Sequence, residues 1–172
     1  MRRRPLALAR AAVVVAVLGV SVAACETTGR PDYGPPPSTA FNPGDFAWST
    51  QPGRGAIDGS IGYRQQGQVL SCTGSVALTP DTPYTRSRFQ TLYGSTERAA
   101  IPEAIVRART VPDPNADYRA FVRSATCQNN RFTFDGLPDG SWFAIAPVSA
   151  GAERTVLMQR VMIRGGRVNV TM

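Results

Sequence analysis

Short runs in which apolar and polar residues alternate recur from residue 57 to the end of the chain, and turn residues separate them. Phe132 and Phe134 alternate with Thr133 and Asp135, which places both rings on one face of a strand. Asp135-Gly136-Leu137-Pro138-Asp139-Gly140 follows, and its Asp, Gly and Pro content predicts a tight turn. Ser141 to Val148 is then continuously apolar and aromatic, as a buried strand would be. Upstream, Ile57, Gly59, Ile61 and Tyr63 share one face of a first strand. A polar connection over 65–71 leads to a second strand over 75–80. In residues 85–94, Phe89, Leu92 and Tyr93 fall at helical spacing, with Thr85 placed to cap the start and Gly94 the end. Residues 104–111 and 118–127 read as strands joined by the turn Pro112-Asp113-Pro114-Asn115-Ala116-Asp117, hence a hairpin. Residues 155–164 and 167–172 read as a second hairpin on Gly165-Gly166. The expectation is an all-β chain: a seven- or eight-stranded antiparallel β-sandwich with one short helical insertion.

Two of these motifs carry a resemblance. The strand–turn–strand at 131–148 is similar to the F-x-G-L-P-x-G signature of carboxypeptidase-regulatory-like and transthyretin-like (prealbumin-type) domains. Gly59, Ile61, Gly74, Val76, Leu78 and Pro80 resemble the opening pattern of the same domains. The resemblance covers about residues 57–172 and implies a β-sandwich. Some transthyretin-like folds are hydroxyisourate hydrolases, whose activity uses His and a terminal Tyr-Arg-Gly-Ser. This chain has no His and ends Val-Asn-Val-Thr-Met, so that activity is not carried over.

The N-terminus has a different pattern. Met1-Arg2-Arg3-Arg4 is basic, Leu6 to Val20 is apolar apart from Arg10, and Val22-Ala23-Ala24-Cys25 follows. A basic start, a short apolar run and small residues make a secretory signal; the run is too short to span a bilayer. Its end resembles the lipobox of bacterial lipoproteins. That resemblance makes residues 1–24 a cleaved signal peptide and Cys25 a lipidated first residue, anchoring the chain to a membrane. An ordinary signal peptide with Cys25 nearby by coincidence is the alternative. Residues 25–54 contain Pro31, Pro35-Pro36-Pro37, Pro43 and Pro52 and read as a tether with polyproline II character. Phe41, Phe46 and Trp48 do not suit a fully solvated linker, and docking onto the sandwich is the expectation for them. The domain proper is then 55–172.

Composition narrows the chemistry. All nineteen basic residues are Arg. Without His there is no Ser-His or Cys-His nucleophile system, and without Lys no Schiff base or P-loop. No catalytic residue, metal ligand or cofactor-binding residue is assigned. Removal of residues 1–24 leaves fifteen Arg against twelve acids, too small an excess to argue for nucleic acid. With Cys25 lipidated, Cys72 and Cys127 remain, and an oxidising compartment predicts a disulfide between them; two buried thiols are the alternative.

The acid pairs Asp135/Asp139 and Asp113/Asp117 suit turns better than a metal. Arg107, Arg109, Arg119 and Arg123, paired across the expected hairpin, would form either a solvated sheet face, the favoured reading, or a basic stripe for anionic glycans. With Trp48 and Tyr84 they make a candidate partner surface. The functional expectation is a lipid-anchored, non-catalytic binding or scaffolding module at the periplasmic face of the outer membrane. Its partner is an envelope protein or, alternatively, a glycan such as peptidoglycan or lipopolysaccharide; an unrecognised hydrolase is the remote third reading.

Overall fold

The computed structural model describes residues 38–72, 74–111 and 117–172. The signal peptide, Cys25, Pro35–Pro37 and Asp113 lie outside the described residues. In chain order the elements are β1 (Gly55–Ser60), β2 (Arg64–Gln65), β3 (Gln68–Val69), β4 (Ser71–Cys72), β5 (Ser75–Pro80), α1 (Pro83–Tyr93), β6 (Arg98–Pro102), α2 (Glu103–Ala108), β7 (Arg123–Thr126), β8 (Arg131–Leu137), β9 (Gly140–Ala150), β10 (Glu153–Ile163) and β11 (Arg167–Thr171). Short 3-10 helices occupy Pro43–Thr50 and Asp117–Phe121.

Two sheets of unequal width form the sandwich. The narrow sheet runs β11-β1-β8 and the wide one β6-β10-β9-β5-β7, with β4 added on β9. Pairing is antiparallel apart from β1 with β11, which run parallel. Ile57, Phe132, Phe134, Leu137 and Val170 from the narrow sheet meet Val76, Leu78, Trp142, Ala144, Leu157 and Val161 from the wide one. Each buried Val, Leu, Ile or Phe among them contributes roughly 1.5–3 kcal/mol. Close approach explains Gly59: a Cβ there would enter the Phe132 ring, which lies across the β1 backbone from the neighbouring strand.

The organising strand–turn–strand is present, but β8 and β9 belong to different sheets, so the 135–140 turn bridges the layers. The segment after Gly165-Gly166 does likewise. β10 and β11 are not a hairpin: β11 crosses to pair with β1, which delivers Val170 to the core. The expected 104–111/118–127 hairpin is not formed. Residues 103–108 are the helix α2, where Glu103 and Arg107 pair one turn apart; the edge strand lies upstream at β6. Only Arg123–Thr126 of the second half is a strand, after the 3-10 turn. The expected polar connection contains the two-residue hairpin β2–β3. The helix α1 forms as expected, one turn earlier at its start: Thr82 is the cap and Thr85 its reciprocal partner. Gly94 ends it with φ 72°, a conformation that favours glycine.

Part of the expected tether belongs to the domain. Phe46 is fully buried, stacked on Phe121 at 4.7 Å and close to Tyr84. Trp48 meets Trp142 edge-on at 5.0 Å, and Arg123 donates to the Ser49 carbonyl at 2.9 Å. Docking of these aromatics is borne out. The Cys72–Cys127 disulfide is formed, with Cα atoms 6.0 Å apart.

Candidate functional site

The width mismatch between the sheets creates the site. On the β10–β6 pair, Leu157 opposes Ala100 and Gln159 opposes Arg98, so these four side chains share the inner face of the wide sheet. Leu157 is covered by the core, whereas Arg98 and Ala100 are exposed: the three-stranded sheet stops short of β6. What remains is a ledge of about 310 Å³ with Ala100, Leu157 and Gln159 as floor and Tyr63 and Met172 as wall. Tyr63 is fixed where the chain leaves β1. Its carbonyl accepts from the Leu70 N–H at 3.1 Å, and the neighbouring Gly62 N–H donates to the Met172 carbonyl at 2.8 Å. Arg98 Nη2 donates to Gln159 Oε1 at 2.9 Å and to the Thr171 carbonyl at 3.4 Å, which lays the guanidinium along the ledge. An apolar floor, a half-exposed phenol, an amide and an oriented guanidinium suit a ligand with one apolar face and many hydrogen-bonding groups.

Three other depressions on the described surface are less suited to such a ligand; the one aromatic ring among their lining, Phe132, is buried in the core. One lies between Arg54 and Asp139, one between Glu103 and Arg154, and one along Ser124, Thr126 and Asn129. Tyr63, Arg98 and Gln159 were not singled out in the sequence; the only local signal was Tyr63 at the end of the first alternating run.

The residues of the expected partner surface are scattered. Tyr84 is buried and Trp48 half-buried against Trp142. Arg107 pairs with Glu103, and its hydrogen bond holds the Glu103 carboxyl below its usual range. Arg109 donates to the Leu92 carbonyl at 2.7 Å. Arg119 is exposed on the 3-10 turn, and Arg123 lies over the Trp142 ring at 5.5 Å. The basic stripe required the absent hairpin and is not formed. Asp139 accepts from the Gly165 N–H at 2.6 Å and Asp135 pairs with Arg167, so both serve turns and surface pairing. Among the described residues no group of three His, Cys, Asp or Glu side chains is placed to hold a metal.

Two further titratable clusters are structural. Burial, then Tyr118, push the Tyr93 phenol up to about 12, with Arg88 opposing. Asp81 is buried between Arg86 and Arg160. Burial alone would lower the Arg160 pKa, but Asp81 and then Glu97 hold it above its ordinary value.

Fold and ledge together define a β-sandwich domain with an open surface site. No protein-family model matches the chain, and no curated protein does. The chain is similar to a solved structure from Pseudomonas aeruginosa described as a "putative carbohydrate binding protein", with a TM-score of 0.52 and 23% identity over 77% of this chain and 97% of that one. A second solved structure with the same description, from Bacteroides uniformis ATCC 8492, overlaps at a TM-score of 0.34 and 6% identity over 70% of this chain and 40% of that one, too little to argue from. The first likeness establishes the fold.

Proposed function

We propose that this chain is a non-catalytic glycan-binding module of the bacterial envelope. The Tyr63–Arg98–Gln159 ledge carries the reading: it sets an aromatic face beside oriented polar groups on an apolar floor, the combination that a pyranose ring requires. The Pseudomonas protein of the same fold, described as carbohydrate-binding, supports it. The domain is of the carboxypeptidase-regulatory-like type on the strength of the motifs around Gly59 and Leu137. The test is retention of the full chain on immobilised peptidoglycan, lipopolysaccharide and soluble polysaccharides. Tyr63→Ala is expected to weaken retention about tenfold or more, since stacking of one ring contributes ~0.5–1.5 kcal/mol beyond the area it buries. Retention that is absent on every glycan, with a protein captured instead by in-cell crosslinking, would overturn the proposal in favour of a scaffold.

The same proposal places the domain on a lipid anchor at Cys25, at the periplasmic face of the outer membrane. The lipobox-like Val22-Ala23-Ala24-Cys25 motivates this, and two or three acyl chains at ~0.8 kcal/mol per buried CH₂ hold such a protein stably. Cys25→Ser is expected to abolish metabolic acyl labelling and to move the protein from the membrane to the soluble fraction. Labelling that persists in that variant sinks the anchor.

A further inference from the structure

We infer that the ledge selects glycans carrying an anionic group on the sugar ring, and that Arg98 makes the selection. This rests on the glycan-binding reading and narrows it.

The hydrogen-bonding inventory of the ledge is one-sided. A neutral sugar presents hydroxyls that both donate and accept, and a site for it needs acceptors as well as donors. The side-chain lining here contains no carboxylate. Its amide acceptor, Gln159 Oε1, is occupied by Arg98 Nη2, which also contacts the Thr171 carbonyl. What the ledge offers a ligand is richer in donors than in acceptors: the Nε and Nη1 hydrogens of Arg98 and the Gln159 amide N–H groups donate, while the Tyr63 hydroxyl and the second lone pair of Gln159 Oε1 accept. Glu97, the acid beside Arg98 in the chain, is engaged by Arg160 at 3.0 Å and does not neutralise the ledge. Arg98 forms no ion pair among the described residues, whereas Arg160, Arg107 and Arg167 each do.

Orientation adds to charge. The two acceptors on Nη2 fix the plane of the guanidinium before any ligand arrives, so less side-chain entropy is lost on binding. A carboxylate or ester anion beside the ring stacked on Tyr63 meets the remaining hydrogens of Arg98. Charge-assisted bonds of that kind are about twice as strong as neutral ones.

The experiment is titration of the full chain in detergent with three oligosaccharides of equal length: a neutral glucan, an oligogalacturonate and a phosphorylated oligosaccharide. At low salt the acidic ligands are expected to bind about tenfold or more tighter than the neutral one. The gap should narrow as salt rises, because Arg98 is exposed. Arg98→Gln should erase the gap between acidic and neutral ligands, and Arg98→Lys should retain part of it. Preference for the uronate over the phosphorylated ligand, or the reverse, identifies the source of the anion and supports the inference either way. Equal binding of neutral and acidic ligands, or a gap that survives Arg98→Gln, overturns the inference and leaves glycan binding standing. Failure of both acidic ligands to bind overturns the inference, while glycan binding itself stands or falls on retention by peptidoglycan, lipopolysaccharide and the polysaccharides above. Unchanged thermal unfolding of Arg98→Gln separates a lost contact from a lost fold.

Discussion

Asp81→Ala is expected to cost about 3 kcal/mol of folding stability, the lower end of the range for breaking a buried ion pair. Asp81 follows β5 and precedes the Thr82 cap of α1. Its side chain has no exposed surface. Oδ1 accepts from Arg86 Nε at 3.0 Å and Oδ2 from Arg160 Nε at 2.7 Å, so one carboxylate ties the start of α1 to β10. Removing it leaves two guanidinium groups without their shared counter-charge. Arg86 is half exposed and turns to water at little cost, whereas Arg160 is 29% exposed and stays partly trapped beside Ser141 and Glu97. That asymmetry places the effect at the lower end. Arg86→Ala, by the same reasoning, should cost about 1 kcal/mol or less, as exposed pairs do. Urea unfolding of the two variants tests the assignment. If Asp81→Ala stays within ~1 kcal/mol of the parent, the carboxylate is not the clamp described here.

The residues that form the sandwich were legible in the sequence, but the way its layers connect was not. Alternation at Ile57–Gly59 and at Phe132–Phe134 reveals a strand with one buried face, because the period of two is a local property. It does not reveal which strand lies alongside. A Gly-Gly turn suits both a hairpin and a crossing between sheets, so the β1–β11 pairing stayed hidden. The six residues of α2 satisfy either period, and the decisive clue was the one-turn spacing of Glu103 and Arg107. The site was less legible still. Tyr63, Arg98 and Gln159 are distant in sequence and meet only because a narrow sheet lies over a wide one. No local motif encodes a difference in strand number. Composition excludes chemistry that depends on a His or Lys side chain, since the chain has neither residue.

Replacing both Cys72 and Cys127 with Ser is expected to cost about 4 kcal/mol, from the chain-entropy estimate for a closed loop of this length. Their separation of 55 residues encloses β5, α1, β6, α2 and β7, so the bridge restrains much of the wide sheet's periphery in the unfolded chain. At this size the loss corresponds to a fall in Tm of ~8–16 °C. Local hydrogen bonds do not replace the bridge. β4 pairs with β9 through only Ser71 and Cys72, supplemented by the Cys72 N–H to Asn130 Oδ1 at 2.9 Å and the Cys127 N–H to the Gly74 carbonyl at 3.0 Å. The consequence reaches the ledge. The β2–β3 hairpin begins beyond Tyr63 and ends at Leu70, whose N–H donates to the Tyr63 carbonyl. Cys72 stands two residues further on and pins that end of the hairpin. Freeing it loosens the position of Tyr63 before the sandwich itself unfolds, so the double variant should also bind the ledge ligand more weakly at temperatures where it remains folded. Thermal unfolding of the parent with and without reductant, beside the double variant, measures the first effect, and titration below the transition measures the second. Coincident unfolding curves would show that the bridge restrains nothing the sheets do not already hold.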